Sequence, residues 1–235
     1  MCFYTIDIGN TQIKIAKFEN NNLVEINYFD KILDFYDFYS NQNVVKSILS
    51  SVRNFKWDES VLPIPLLLNN ELRLPFENKY ASKETLGNDR KALVTAAIQN
   101  FQNQNCLIID AGTCITYDFV DASKNYYGGA ISLGLNMRYK SLHHYTAKLP
   151  ELKFPNVEIN ILGNSTENCI NSGVFFGILH EMEGFINDYQ KKTENLTILL
   201  TGGDAKYFEK HLNTPIFVVP NLQMEGLYHI LKQND

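Results

Sequence analysis

The residues best suited to bind a phosphorylated ligand lie in two short segments of similar composition. One reads Thr-Ile-Asp-Ile-Gly-Asn-Thr at residues 5–11, and the other reads Ile-Ile-Asp-Ala-Gly-Thr at residues 108–113. In each, an Asp at the end of an apolar run can hold a cation or a cation-bound water, and the following Gly allows a tight turn close to a phosphate. Thr hydroxyls and backbone N–H groups can then donate hydrogen bonds to phosphate oxygens. Two such turns indicate two related halves that face each other across a nucleotide.

Several of these residues also have an interpretation that involves no ligand. Gly9 and Asn10 are an ordinary turn pair. Lys14 could reach the outer phosphates as a point charge or be a solvated strand residue. Asp110 follows a fully apolar strand, where a carboxylate is unfavourable unless it is paired or ligating, and this favours a functional role. Asp118 is either a further acidic ligand or a residue at a strand end.

Two further segments contain groups that could take part in phosphate chemistry. Thr201-Gly202-Gly203-Asp204 follows another apolar strand. Its glycines would let a flat ligand such as an adenine ring lie against the backbone, although a plain strand–helix connection is the commoner use of such a sequence. Asp89 is a candidate general base and Arg90 a cation for a carboxylate or phosphate. Without a ligand, these two residues would be a helix cap and a charge in the first turn of a helix. Because the chain also contains three glycine turns suited to a nucleotide, we favour a catalytic role.

Alternating strands and helices must position these segments. Residues 2–18 predict a β-hairpin with the Asp7–Thr11 turn at its tip, followed by a third strand. Residues 106–132 repeat that pattern of strand, acidic glycine turn, strand and strand. Apolar periodicity predicts the remaining elements: helices over 31–40, 91–102, 135–150, 171–189 and 226–233, and strands over 44–51, 196–200 and 216–219.

The composition is that of an ordinary globular protein, with 235 residues, 45% hydrophobic and 20% charged. The net charge of −5 argues against non-specific binding to nucleic acid or to anionic membranes. The four cysteines show no CxxC spacing and the five histidines no suitable neighbours, so we expect no zinc site. With no signal-peptide pattern and no apolar run near the roughly 20 residues that span a bilayer, we expect a cytoplasmic protein with no nucleic-acid or membrane partner.

Taken together, the segments resemble the type III pantothenate kinases of the acetate and sugar kinase/Hsc70/actin superfamily. The resemblance covers most of the chain and depends on the order of several motifs. They are Asp7-Ile-Gly-Asn-Thr-Gln-Ile-Lys14, Leu86-Gly-Asn-Asp-Arg90, Asp110-Ala-Gly-Thr113 with Thr116 and Asp118, Gly128-Gly129-Ala-Ile131, Thr146-Ala-Lys-Leu-Pro150, Gly163-Asn-Ser-Thr166 with Gly173, and Asn221-Leu-Gln-Met-Glu-Gly-Leu227.

The resemblance implies an α/β fold of two RNase H-like (actin-like ATPase) halves, with mixed sheets flanked by helices and the nucleotide in the cleft between them. The halves would be residues 1–104 and 105–235. It implies ATP-dependent phosphorylation of pantothenate to 4'-phosphopantothenate, the first step of coenzyme A biosynthesis. It also implies a homodimer with pantothenate close to the subunit interface.

The same resemblance assigns roles to individual residues. Asp89 matches the proton acceptor, and Asp110 matches the ligand of a monovalent cation, K⁺ or NH₄⁺. Apart from the resemblance, phosphoryl transfer calls for Mg²⁺, which Asp7 would hold through water. The resemblance makes Asp7, Ile8, Gly9, Asn10, Thr11, Gln12, Ile13, Lys14 and Thr113 ATP-binding residues, and the argument from the third glycine turn adds Gly202 and Gly203. The pantothenate contacts would be Tyr80, Gly87, Asn88, Asp89, Arg90 and Thr166, with Thr166 reaching across the dimer.

Two loops depart from the family pattern, and two rival functions stay open. Leu133 stands where the family usually has Pro before Gly134, and residues 81–85 lack a common Pro; both changes concern loop stiffness rather than the reacting groups. The chain could phosphorylate another small alcohol or acid, against which the acceptor-side residues argue. It could also be a non-catalytic nucleotide-binding regulatory relative. A degenerate relative has no need for three unfavourable carboxylates, Asp7, Asp89 and Asp110.

Overall fold

The computed structural model describes residues 2–155 and 157–235, which form two compact units. The first unit contains the described residues up to Asn103, together with Ala122–Tyr127 and Asn221–Asp235. The second contains Gln104–Asp121 and Gly128–Pro220. The predicted halves 1–104 and 105–235 stay a proposal about an internal repeat. The compact units differ from those halves, because Ala122–Tyr127 and Asn221–Asp235 belong to the first unit.

Strands and helices alternate along the chain. The strands are β1 (Cys2–Ile8), β2 (Ile13–Glu19), β3 (Asn22–Phe29), β4 (Lys46–Ser51), β5 (Leu66–Leu67), β6 (Glu77–Asn78), β7 (Asn105–Ala111), β8 (Cys114–Val120), β9 (Asn125–Leu133), β10 (Leu196–Thr201) and β11 (Phe217–Val218). The helices are α1 (Ile32–Ser40), α2 (Asn88–Asn100), α3 (Leu135–His144), α4 (Thr166–Lys192), α5 (Ala205–Phe208) and α6 (Leu222–Gln233), and Lys83–Thr85 form one 3₁₀ turn.

Each unit is built on a sheet with the same strand succession. In the first unit the order is β3-β2-β1-β4-β5, with β1 antiparallel to β2 and parallel to β4. The second sheet has six strands in the order β6-β9-β8-β7-β10-β11, in which β9-β8-β7-β10-β11 repeats that succession, with β7 antiparallel to β8 and parallel to β10. Both sheets are therefore mixed, and the repeat of strand, glycine turn, strand and strand predicted for residues 106–132 is confirmed.

The first sheet is covered on both faces because its strands alternate side chains between two apolar clusters. Tyr4, Ile6 and Ile8 of β1 pack with the aromatic residues of α1 and with Trp57. Phe3 lies on the opposite face, in a cluster with residues of α2 and α6. With a period of two, Thr5 and Asp7 share the face of Phe3. Asp7 therefore ends the stripe that α2 and α6 cover.

The second sheet packs one face against α3 and α4. Leu107, Ile109 and Ala111 of β7 and Ile115 and Tyr117 of β8 join the buried residues of these helices in one core. The intervening positions of β7 and β8, which include the polar Asp110, Thr116 and Asp118, therefore face the other side of the sheet.

The three largest differences from the predicted helix boundaries are in α3, α6 and α4. Helix α3 ends at His144 rather than near Pro150, and α6 begins at Leu222 rather than at Gly226. Helix α4 begins at Thr166, five positions before the predicted start, because Ser165 Oγ caps it by accepting a hydrogen bond from the Asn168 N–H at 3.2 Å. Among the described residues, no helix is both long and apolar enough to cross a membrane.

Candidate active site

The first glycine turn closes the β1–β2 hairpin and holds Asp7 at the end of β1. Gly9 N–H donates to the Gln12 carbonyl at 3.1 Å, and Asp7 lies opposite Lys14 in the antiparallel register. On the other side Asp7 is the parallel partner of Ser50 in β4. The carboxylate is thus framed by a lysine on one strand and a hydroxyl on the other, as the predicted hairpin requires.

Asp7 is an unfavourably placed carboxylate. Its side chain is only 4% exposed, and burial raises its pKa from 3.8 to about 6, with the charge of Lys14 opposing the rise and that of Asp89 adding to it. A hydrogen bond from the Gln223 side chain on α6 also lowers it. Within the described part of the chain, Asp7 Oδ1 has no hydrogen-bond partner. A buried carboxylate oxygen without a hydrogen-bond partner is suited to bind a hard cation or a water bound to that cation.

Asp89 stands in the first turn of α2, two residues after a glycine that its orientation requires. Asp89 Oδ1 accepts the N–H of Arg90 at 2.8 Å. A Cβ at Gly87 would overlap that same oxygen, so any larger residue at position 87 must displace the carboxylate. The sequence placed Asp89 at or beside a helix N-terminus, and α2 confirms that position.

Arg90, which follows Asp89 in the chain, packs against Tyr80. The guanidinium of Arg90 is buried and lies over the Tyr80 ring, 5.6 Å from its centroid, an arrangement that fixes both side chains. The neighbouring Asn88 is engaged differently. Its Nδ2 donates to the Leu68 carbonyl at 2.8 Å, and its Oδ1 accepts from Lys91 at 3.0 Å. Both polar groups of the Asn88 side chain therefore form hydrogen bonds within the protein.

In the second unit, the turn between β7 and β8 is shorter by two residues than its counterpart. Gly112 N–H donates to the Cys114 carbonyl at 3.1 Å, and Thr113 lies at the tip. The backbone before α3 packs directly on this turn, because a Cβ at Gly134 would overlap the carbonyls of Gly112 and Thr113. The glycine at position 134 therefore allows the close approach, whichever residue precedes it.

The third glycine turn packs against the second. Thr201 pairs with Asp110 in the parallel register of β10 and β7, and Asp204 N–H donates to the Ala111 carbonyl at 2.9 Å. Gly202 has φ +94°, and a Cβ there would overlap Asp110 Oδ1 and the Ala111 carbonyl. Gly202 is therefore required by the position of Asp110. Gly203 differs, since its Cβ direction is open space.

Asp118 is an interior residue of its sheet. It is fully buried and accepts a hydrogen bond from Thr116 Oγ1 at 3.2 Å. Thr116 is also the register partner of Asp110. Asp118 lies inside β8 and not at a strand end, and its role as a ligand stays a prediction.

Thr166 lies at a large cavity of the second unit, about 1270 Å³ in volume. The cavity is lined by residues of the β9–α3 connection, by α3 and by the start of α4. At its wall Glu181 accepts hydrogen bonds from Tyr117 and Ser132, each at 3.0 Å, and forms an ion pair with Arg138. Arg138 Nε also donates to the Leu133 carbonyl at 3.0 Å, which holds the loop in which Leu133 replaces the expected Pro.

Comparison with known proteins identifies the family. The family model for type III pantothenate kinase matches residues 3–188. A type III pantothenate kinase of Christiangramia forsetii is 47% identical over 238 residues, which cover 97% of each chain. The chain belongs to the type III pantothenate kinase family.

Solved structures of lower identity agree on the fold of this family member. A Campylobacter jejuni protein described as a conserved Baf family transcriptional activator aligns with a TM-score of 0.66 at 23% identity, over 98% of each chain. An activator of 2-hydroxyisocaproyl-CoA dehydratase from Clostridium difficile, with bound ADPNP, aligns with a TM-score of 0.56 at 12% identity, over 99% of this chain and 96% of that one. The predicted α/β class of two actin-like halves is confirmed.

The fold of this type III pantothenate kinase family member collects the predicted residues in two groups. The first unit holds the ATP-binding candidates 7–14 and the acceptor-side candidates Tyr80 and 87–90. The second unit holds Asp110, Thr113, Gly202, Gly203 and Thr166. Among the described residues, no group of three or more His, Cys, Asp or Glu lies together as a metal cluster would.

Sequence reasoning missed four polar residues of these sites. Ser50 and Gln223 flank Asp7, and Arg53 donates from its guanidinium to the carbonyl of Asn10 in the first glycine turn. Lys91 follows the acceptor segment and is buried. No local pattern marks Ser50, Arg53 or Lys91, and Gln223 lies in the Asn221–Leu227 motif without a role assigned to it, because each becomes a neighbour of the site through strand pairing or helix packing.

Proposed function

We propose that this protein transfers the γ-phosphoryl group of ATP to the primary hydroxyl of pantothenate, giving 4'-phosphopantothenate and ADP, the first step of coenzyme A biosynthesis. The observation that carries the proposal is Asp7, a buried carboxylate with one unpaired oxygen and with Asp89 near enough to raise its pKa. A turn that only connects two strands would not require the carboxylates of Asp7 and Asp89 to lie so near each other. Membership of the type III pantothenate kinase family supports pantothenate as the acceptor.

In the first unit, residues 7–14 bind the ATP phosphates and the start of α2 binds the acceptor. Backbone N–H groups of the turn and the Lys14 ammonium offset phosphate charge. Asp89 orients the pantothenate hydroxyl and accepts its proton as oxygen attacks the γ-phosphorus and the bond to the β-phosphate oxygen breaks. Arg90, steadied by Tyr80, binds the pantothenate carboxylate or the transferred phosphate.

In the second unit, Thr113 donates to a phosphate oxygen, and Gly202 and Gly203 present backbone to the adenine. Open space at Gly203 supports this role, whereas Gly202 serves mainly to admit Asp110. Thr166, at the rim of the 1270 Å³ cavity, contacts pantothenate.

Two cations complete the proposal. Asp7 would hold Mg²⁺ through water, and the unpaired Oδ1 fits that role; the ion, when bound, neutralises charge on the β- and γ-phosphates. Asp110 would bind K⁺ or NH₄⁺, for which a carboxylate beside the carbonyl-rich turns at Ala111 and Gly202 is a suitable oxygen donor.

We further propose that the protein is a homodimer. The second unit exposes large apolar side chains beside its cavity, with Tyr145 82% and Leu162 83% exposed, and such surfaces are typical of protein interfaces. Light scattering after size exclusion would test the dimer, and a monomer at micromolar concentration would contradict it. The cytoplasmic location and the lack of nucleic-acid or membrane partners stay predictions.

The reaction is tested by ATP consumption with Mg²⁺ and K⁺, with and without pantothenate, and again with Na⁺ in place of K⁺. We expect turnover that depends on pantothenate and collapses in Na⁺. ATP binding without pantothenate-dependent turnover would refute the substrate and favour a regulatory relative. Equal turnover in Na⁺ would refute the role of Asp110.

The role of Asp89 is tested by Asp89→Asn. We expect ATP binding to persist while kcat falls about 10²–10⁴-fold, the usual contribution of a positioned general base. Single-turnover kinetics and the binding of a fluorescent nucleotide separate the two effects. A kcat within twofold of the wild-type value would remove Asp89 from this role.

A further inference from the structure

Lys91 is a buried cation at the start of α2, two residues after Asp89. Its side chain is 3% exposed, and Nζ donates to Asn70 Oδ1 at 2.6 Å and to Asn88 Oδ1 at 3.0 Å. Both partners are neutral amides. The ammonium is therefore held by hydrogen bonds, with no carboxylate in direct contact among the contacts described.

Stability alone gives no reason for an ammonium at this position. Burial lowers the pKa of Lys91, and Glu84 opposes the shift through its charge. The first turn of a helix also repels cations, because the helix dipole is positive there. An apolar side chain of similar length would avoid both penalties. What it would lose is the pair of directed hydrogen bonds.

Those hydrogen bonds join three separate segments. Asn70 Nδ2 donates to Glu84 Oε2 at 2.9 Å, which ties residues 69–70 to the 3₁₀ turn Lys83–Thr85. Asn88 Nδ2 donates to the Leu68 carbonyl at 2.8 Å, which ties the same loop to the first turn of α2. Lys91 Nζ bonds both amides and closes the network.

The network supports the acceptor-side residues from behind. Tyr80 precedes the 3₁₀ turn, while Gly87, Asp89 and Arg90 follow it. The Asp89 carboxylate lies so close to Gly87 that no Cβ fits between them, and Arg90 contacts the Tyr80 ring. Any movement of residues 80–87 relative to α2 therefore alters both pairs.

We infer that Lys91 is a positioning residue, which clamps residues 83–87 and loop 68–70 to α2 so that Asp89 and the Tyr80–Arg90 pair meet the acceptor in one fixed geometry. The inference rests on the proposed function for the identity of the acceptor. It assigns Lys91 no contact with substrate.

The test is Lys91→Met, which keeps the length of the side chain and removes the ammonium. We expect KM for pantothenate to rise at least tenfold, with KM for ATP within twofold of wild type and with no fall in melting temperature. Lys83→Met is the matched control, because Lys83 is an exposed lysine of the 3₁₀ turn, and we expect it to behave as wild type. A variant with both KM values unchanged, or with both raised alike, would overturn the inference.

Two further experiments test the role of Lys91 independently of the kinetics of Lys91→Met. If Lys91→Met fails to fold, Asn70→Ala cuts the same network from its exposed end, and we expect pantothenate KM to rise by a smaller factor. Amide hydrogen exchange over residues 83–87, without substrate, should be at least tenfold faster in Lys91→Met; unchanged exchange would overturn the clamp. This readout stands even if wild-type protein shows no pantothenate turnover, an outcome that would refute only the proposed function.

Discussion

Replacement of Asp7 by Asn should stabilise the protein while abolishing phosphoryl transfer. In the folded state Asp7 is 4% exposed and has a pKa of about 6 in place of 3.8. This difference places about 3 kcal/mol of unfavourable free energy on the ionised carboxylate at pH 8. Asn carries no charge, and its unsatisfied amide offsets about 1 kcal/mol of the gain.

The net gain of about 2 kcal/mol corresponds to a rise of about 4–8 °C in melting temperature for a chain of this size. Its pH dependence has a definite sign. Because the pKa is raised in the folded state, the penalty is absent below pH 3.8, grows between pH 3.8 and about 6, and is complete above that range. At pH 5 the penalty is about half of its full value, and since the cost of the amide does not change with pH, the advantage of Asp7→Asn should fall from about 2 to about 0.6 kcal/mol.

Thermal or urea unfolding of both proteins between pH 4.5 and 8.5 measures this advantage. Asp37→Asn makes the same chemical change at an exposed position of α1 and should leave stability within about 0.5 kcal/mol at every pH. A variant at position 7 that melts below wild type at pH 8, or whose advantage is the same at pH 5, would refute the account of Asp7 as a buried, strained carboxylate.

Two further substitutions test the contacts that α6 makes in the first unit. Gly226→Ala should lower the free energy of unfolding by about 1–3 kcal/mol, because its Cβ would overlap the Ala92 carbonyl of α2. The control Gly184→Ala lies in α4 with no atom near its Cβ, and it should raise the free energy of unfolding by about 0.5–1 kcal/mol. Equal losses of stability for both variants in urea titrations would contradict the close approach of α6 to α2. Gln223→Leu removes a hydrogen bond that lowers the pKa of Asp7, so the acid limb of the kcat/KM profile should move to higher pH, and an unmoved limb would show that Gln223 does not act on Asp7.

Much of the fold followed from local pattern. Alternating apolar residues set the hairpins of β1–β2 and β7–β8, and the Asp-x-Gly turns stand where predicted because glycine and the strand ends leave few backbone choices. The order of motifs was also enough to indicate the family, which the full-length relatives confirmed. The predicted start of α4 was late, because the capping role of Ser165 was missed.

The chain sequence by itself determined which residues carry carboxylates, glycines and hydroxyls at the turns, since these depend on neighbours a few positions apart. Only the tertiary structure decided what surrounds them. Gln223 reaches Asp7 because α6 returns from the end of the chain to cover β1, and Gly202 admits Asp110 because β10 pairs with β7. The pKa of Asp7 and the clamp at Lys91 arise from burial and from hydrogen bonds between segments distant in sequence, and such contacts leave no periodic trace in the chain.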